Sequence, residues 1–143
     1  MTRLASIAVA IAGIVHLILA PQHFEHAPAH GLFFAVAGIA EIVWAVLFLR
    51  NPSERMYYVG IVMAGALVVI WAATRIIPAP FHGHVEPIDL GGIVCKISEL
   101  VGIIALVSLA AHGKVAGLAK RSFAGFMAEA LILAGFFGFG FYM

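Results

Sequence analysis

The sequence predicts an all-α integral membrane protein: a bundle of five transmembrane helices in one membrane-embedded domain, residues 1–143. Of its 143 residues, 64% are hydrophobic and 10% are charged, and the mean hydropathy is +1.10. Soluble domains carry roughly a quarter charged residues, so this chain lacks the polar surface to cover a core in water. Lipid offers no hydrogen-bond partners to the backbone, so the apolar runs must cross it as helices.

Five apolar runs are separated by polar or proline-containing segments. Each is close to the ~20 residues that cross a ~30 Å hydrocarbon layer. Prolines at 52, 78, 80 and 87 prevent regular helix through two of the connectors. The predicted spans are 4–20, 31–49, 57–77, 91–111 and a glycine-rich C-terminal span at 122–143.

The basic residues predict the orientation of the chain in a prokaryotic cell membrane. Six of the eight lie in alternate connectors, and the intervening connectors contain none. By the positive-inside rule, the N-terminus is then cytoplasmic and the C-terminus is outside. The six residues are Arg3, Arg50, Arg55, Lys114, Lys120 and Arg121.

Two polar connectors, 21–30 and 78–89, hold five of the seven histidines and would face the outside. Neutral imidazole is a common metal ligand, and a histidine-dominated site suits copper or zinc. The alternative is that these are solvated interface histidines, which cap helices and bind lipid headgroups. The candidate metal ligands are His23, His26, His30, His82, His84, Glu25 and Glu86.

Ionisable side chains also fall within the predicted spans. Each charge in hydrocarbon costs at least ~2.5–3.5 kcal/mol, so such residues usually pair. We expect His16 to pair with Glu41, and Lys96 or Arg75 to pair with Glu99. A proton or cation path to Glu41 and contacts with a partner subunit are the alternatives. The full set is His16, Glu41, Arg75, Lys96, Glu99 and Glu129, of which Glu129 has no partner at its depth.

Several kinds of chemistry have no support in the sequence. The single Cys95 excludes an internal disulfide or CxxC site and is expected to be a buried, inert thiol. A bis-imidazole haem needs two histidines within the spans, and only His16 qualifies, so no haem is predicted. A net charge of +1 gives no case for nucleic-acid binding. No nucleotide-binding or nucleophile motif occurs, so we expect no catalytic activity of the chain itself.

A resemblance extends over roughly residues 10–110. His16, the run PQHFEHAPAHGLFF at 21–34, the run WAATR at 71–75, the segment 78–89 and Glu99 form a pattern similar to that of small uncharacterised prokaryotic membrane proteins. In outline those proteins resemble DoxX-like four-helix bundles. The resemblance implies a helical bundle to which the fifth span is an addition, and it implies no activity.

Small size, buried charges and the lack of catalytic motifs favour a non-catalytic accessory subunit of a larger membrane complex. A copper-dependent or respiratory oxidoreductase is the kind of complex expected, with the outer histidines as its metal-binding surface. Its partners would be lipid and the other membrane subunits. The alternative is a small homo-oligomeric transporter or metal-uptake protein that uses Glu41 and the outer histidines.

Overall fold

The computed structural model describes residues 1–78 and 85–111, apart from the side chain of His26. These residues form four helices, namely α1 (Thr2–His26), α2 (Pro28–Arg50), α3 (Glu54–Ala73) and α4 (Leu90–Leu109). The all-α class is confirmed, and all four helices are long and apolar enough to cross a membrane. The fifth predicted span lies outside the described residues, and the orientation stays a prediction.

The first connector differs from the expected polar loop. Helix α1 continues through Pro21 to His26, and α2 begins at Pro28, so only Ala27 separates the two helices. Ala27 is extended, with φ −152° and ψ 106°, as the residue before a proline tends to be. Proline is tolerated in the first helical turn because an amide there has no intrahelical partner. The predicted 21–30 connector is therefore a sharp corner between two helices.

Helices α3 and α4 begin at side-chain caps. Ser53 accepts a hydrogen bond from the amide of Met56 at 3.3 Å, and Asp89 Oδ1 accepts one from the amide of Gly92 at 2.8 Å. Helix α3 ends at Ala73, four residues before the predicted end of the span at 77. Arg75 therefore lies in the turn after α3, rather than inside a span.

The helices α1 and α2 pack most extensively, α4 packs against α1, and α3 lies mainly against α4. The close approach of α1 and α2 depends on two glycines. A Cβ on Gly13 would lie 2.8 Å from the carbonyl oxygen of Gly38, and one on Gly38 would lie 2.7 Å from the carbonyl oxygen of Gly13. The two backbones touch here, as small residues allow in membrane helices.

The bundle has an apolar exterior and a partly polar interior. On α1 an isoleucine stripe at helical spacing faces outward, and the residues on the opposite side are small or polar. This arrangement suits lipid contact around the bundle. The exposed stripe is Ile7, Ile11, Ile14 and Ile18, and the buried side is Ala5, Ala8, Val9, Ala12 and His16.

One end of the bundle is packed with apolar and aromatic side chains and is called the apolar end below. Trp44 stacks on Phe48 with ring centroids 4.8 Å apart, and its indole nitrogen donates to the carbonyl of Met56 at 2.6 Å. The buried members are Ala5, Val9, Trp44, Ala45, Phe48, Tyr57, Ala105 and Leu106. The opposite end, which carries the Ala27 corner and the segment after α3, is called the connector end.

Candidate functional site

Five polar side chains meet in the interior of the bundle and form what we call the core cluster: His16, Glu41, Cys95, Lys96 and Glu99. Each is no more than 7% exposed, and both carboxylates are fully buried. His16 Nδ1 lies 2.7 Å from Glu41 Oε2, and the Lys96 ammonium donates to Glu99 Oε1. The cluster therefore combines two acids, one ammonium, one imidazole and one thiol in a largely buried space.

Helix geometry explains why these groups converge. His16 and Glu41 each lie three residues after the glycine at the α1–α2 contact, and side chains lean toward the N-terminus of their helix. Because α1 and α2 are antiparallel, the two side chains lean toward each other at the level of Gly13 and Gly38. On α4, Cys95 and Glu99 are four residues apart and so share one face.

The structure confirms two of the expected pairings, His16 with Glu41 and Lys96 with Glu99. Arg75, the alternative partner considered for Glu99, instead lies 3.8 Å from Asp89 Oδ2. Each of the two carboxylates still has one oxygen that could bind a ligand. Among the described residues, Glu41 Oε1 and Glu99 Oε2 are buried without a hydrogen-bond partner. A buried polar atom without a partner is costly, which points to an occupant that the protein residues do not supply.

Cys95 lies next to the two other potential metal ligands of the cluster, His16 and Glu99. Its Sγ lies 3.6 Å from both ring nitrogens of His16 and 3.5 Å from Glu99 Oε1. The donor atoms of His16, Cys95 and Glu99 all lie within 4.8 Å of one another. Within 1–78 and 85–111 this is the one group of three or more potential metal ligands so close together. The cluster could therefore hold a metal ion.

A narrow cleft leads from the connector end to the core cluster. Its volume is about 30 Å³, which is room for about two water molecules. His16, Cys95 and Lys96 line its inner part, and Leu19, Gly92 and several polar or aromatic side chains line the remainder. The outer lining includes His23, His30, Phe34, Trp71, Arg75, Glu86 and Asp89. The apolar end has no comparable group of polar lining residues among those described.

Arg75 ties the second connector to the end of α3. Its guanidinium donates to the carbonyls of Trp71 and Pro87, both at 3.2 Å, and lies 4.4 Å from the centre of the Trp71 ring. Partial burial lowers the pKa of Arg75, and the carboxylates of Asp89 and Glu86 act in the opposite direction. These contacts hold the rim of the cleft in place.

The predicted outer metal site is brought together only in part. The rings of His23 and His30 lie 4.4 Å apart between centroids, and His30 Nδ1 lies 3.6 Å from Glu86 Oε1. Both histidines also pack against Phe34. Glu25 is exposed. The side chain of His26 lies outside the described part of the chain, as do His82, His84 and the intramembrane acid Glu129.

The surroundings of Cys95 were not predicted from the sequence. The thiol is buried, as expected, but it lies beside an imidazole and a carboxylate rather than among apolar side chains alone. The i, i+4 spacing of Cys95 and Glu99 was the available signal. No spacing in the sequence indicated that His16, about eighty residues earlier, would be the third member.

In comparisons with known proteins, the chain matches no family model, and no curated protein or solved structure matches it. The resemblance to DoxX-like bundles therefore stays a prediction. The fold and the core cluster are the observations from which a function can be argued.

Proposed function

We propose that this chain is a metal-binding membrane protein that takes up a transition-metal cation through the cleft and holds it at the core cluster. The observation that carries the proposal is the convergence of His16, Cys95 and Glu99 beside the inner end of a cleft that His16, Cys95 and Lys96 line. A buried carboxylate in a bundle is costly unless a cation or a hydrogen-bond donor offsets it. Both Glu41 and Glu99 have such an unfilled position.

The contrast between the two ends of the described bundle favours a binding site over an open pore. The aromatic packing of Trp44 and Phe48 fills the apolar end, so within residues 1–78 and 85–111 a cation that enters from the connector end meets aromatic and aliphatic side chains beyond the cluster. The distribution of the basic residues supports an outward-facing connector end, where the histidines of both connectors would meet metal from outside the cell. At the rim of the cleft, a first and weaker metal-binding site would be formed by His23, His30 and Glu86.

The accessory-subunit hypothesis draws less support from the same residues. It rested in part on buried charges without obvious partners, above all Glu129, which lies outside the described residues. Glu41 and Glu99 have the partners expected for them, His16 and Lys96, within the chain. A bound metal gives the unpartnered Glu99 Oε2 a role, which a purely structural subunit does not.

The test is metal loading of the full-length chain purified in mild detergent. After equilibration with Zn(II) or Cu(II) and removal of excess metal, we expect about one ion per chain, because the cluster offers a single set of donors. Mg(II) should not be retained, since it prefers all-oxygen sites. Elemental analysis of the monodisperse protein measures the ratio, and a metal-free protein under all of these conditions would refute the proposal.

A pair of glycine variants tests whether metal enters by the cleft. Gly92 lines the cleft, and a Cβ there would lie 2.9 Å from the indole nitrogen of Trp71, whereas nothing lies within 4 Å of a Cβ on Gly65. Gly92→Val should slow the loading of Zn(II), and the matched Gly65→Val should not. Equal loading rates in the two variants would exclude entry by this route.

A further inference from the structure

We infer that the bound ion is a borderline divalent cation of the Zn(II) type, held by His16, Cys95 and Glu99, with Glu41 as a positioning residue for the imidazole. This inference rests on the proposed metal-binding function and adds to it the ligand set and the class of metal. It is carried by distances within the core cluster, by the unpartnered carboxylate oxygens and by the balance of charge.

Cys95 Sγ already has the separation from its neighbours that a tetrahedral ion requires. With Zn–S near 2.3 Å and Zn–N or Zn–O near 2.0–2.1 Å, two ligands at the tetrahedral angle lie about 3.5 Å apart. Cys95 Sγ is 3.6 Å from each ring nitrogen of His16 and 3.5 Å from Glu99 Oε1. Binding through Oε2 of the same carboxylate then needs an adjustment of the Glu99 side chain.

Glu41 selects which nitrogen of His16 faces the ion. Glu41 Oε2 lies 2.7 Å from Nδ1. In the metal-bound form Nδ1–H would donate to the Glu41 carboxylate, which leaves the lone pair of Nε2 for the metal. Histidines that bind metals commonly donate their other nitrogen to a carboxylate in this way, which fixes the tautomer and strengthens the ligand. Glu41 is fully buried on α2, so it acts on the ion through His16.

Lys96 and the two oxygens of Glu99 make the site neutral when it is filled. The ammonium of Lys96 can stay on Oε1 while the unpartnered Oε2 binds the ion. Cys95 binds as a thiolate, and its proton leaves to water in the cleft. The positive charges of a divalent ion and of Lys96 then balance the negative charges of Glu41, Glu99 and the thiolate. Neutrality matters here because the site lies among membrane-spanning helices.

The mixed donor set and the cleft indicate the class of metal and its exchange. One imidazole, one thiolate and one carboxylate suit Zn(II) or Co(II), whereas Mg(II) and Ca(II) prefer oxygen ligands alone. Three protein ligands leave the fourth position to water from the cleft, as in zinc sites that exchange ligands. A structural zinc site would normally be closed by a fourth protein ligand.

The experiment uses Co(II) as a spectroscopic substitute for Zn(II) in the full-length protein in detergent. Wild type should show the absorption of tetrahedral Co(II) with a thiolate-to-cobalt charge-transfer band, and Zn(II) should abolish both. Cys95→Ser should lose the charge-transfer band and bind Zn(II) at least about tenfold more weakly, as even changes beyond the direct ligands cost about 10–100-fold.

Glu41→Gln separates positioning from ligation. It should weaken Zn(II) binding about 10–100-fold and keep the thiolate-to-cobalt band, because Cys95 still binds the ion. Glu54→Gln, a change in the first turn of α3 at the far end of the bundle, is the matched control and should bind as wild type does. Loss of the thiolate band in Glu41→Gln, or wild-type affinity, would overturn the positioning role.

X-ray absorption of the Zn(II)-loaded wild type tests the ligands without any variant, so the inference remains testable if Cys95→Ser does not fold. We expect one sulfur at about 2.3 Å and nitrogen or oxygen ligands at about 2.0–2.1 Å. A bound ion with no sulfur ligand would refute this ligand set and leave the proposed metal binding intact. A wild-type chain that binds no metal would refute both.

Discussion

The apolar end and the core cluster differ in the charge of their buried polar groups. The apolar end draws on all four helices and the core cluster on α1, α2 and α4. The polar atoms near the apolar end that lack a hydrogen-bond partner among the described residues, Ser6 Oγ and Tyr58 OH, belong to uncharged hydroxyls. At the apolar end, the indole of Trp44 finds the Met56 carbonyl at 2.6 Å, and its ring stacks on Phe48. In the core cluster, Glu41 and Glu99 each use one oxygen within the chain, and the second has no partner among the described residues. The first region has the character of a packed interior, and the second that of a binding site.

This difference indicates that the packing of the apolar end stabilises the bundle, whereas the buried charges of the core cluster cost free energy and are retained for function. Helix association in lipid relies on close packing and interhelical hydrogen bonds, since lipid tails are as apolar as the side chains they would replace. The apolar end supplies such packing. Buried charges contribute little net stability even when paired, so the core cluster is better explained by what it binds.

The largest expected effect comes from separating the Lys96–Glu99 pair. Glu99→Leu should lower the free energy of unfolding by about 3–5 kcal/mol, because it leaves the buried Lys96 ammonium uncompensated. The double variant Lys96→Leu/Glu99→Leu should recover most of that loss, since two apolar side chains can replace the pair. Both variants should fail to bind Zn(II). The measurement is reversible unfolding in mixed micelles.

A double variant as unstable as Glu99→Leu would show that the pair itself stabilises the bundle. The core cluster would then be structural, and the contrast with the apolar end would disappear.

A cavity at the apolar end should lower the stability of the bundle and leave Zn(II) binding unchanged. Phe48→Ala removes a ring that is 2% exposed and stacked on Trp44. We expect a loss of about 2–3 kcal/mol, below the range for soluble cores because a displaced membrane helix remains in lipid. Zn(II) affinity should stay at the wild-type value when measured below the unfolding transition. A large change in affinity would mean that the two regions are coupled.

The smallest effects are expected at the two helix caps, which lie at opposite ends of the bundle. Ser53→Ala and Asp89→Ala each remove one side-chain hydrogen bond to a backbone amide, and each should cost about 1 kcal/mol. Only Asp89 lines the cleft, so only Asp89→Ala should alter the rate of Zn(II) loading. Thermal unfolding and stopped-flow loading of the two variants provide the comparison, and equal loading rates would remove Asp89 from the entry route.

Much of the fold was predictable because hydropathy and helix signals are local. The four described helices overlap four of the predicted spans, although α1 extends six residues past its predicted end and α3 ends four residues before its own. The break at 51–53 lies where Pro52 was expected to interrupt the chain. The first connector was not predicted as a helix corner. Its polar residues and two prolines resemble a loop in composition, although Pro28 occupies a first-turn position that favours the start of a helix.

For the candidate site, the sequence predicted two separate ion pairs but not their convergence into one cluster. The cost of charge in lipid suggested that His16 would meet Glu41 and that Lys96 would meet Glu99, and both pairs are present. The joining of these pairs through Cys95 was not predicted. The outer histidines gave the stronger compositional signal, yet the closely spaced donor group among the described residues lies deeper in the bundle.

The sequence by itself determined that the chain is all-α with helices long and apolar enough to span a membrane, roughly where the four described helices lie, and which buried charges need partners. Each of these follows from the hydropathy of consecutive residues and from the free-energy cost of placing a charge in lipid. Only the tertiary structure decided that His16, Cys95 and Glu99 share one space at the end of a cleft. That outcome depends on the rotation and register of α1 against α2 and α4, which the close contact at Gly13 and Gly38 and the packing of the whole bundle set together.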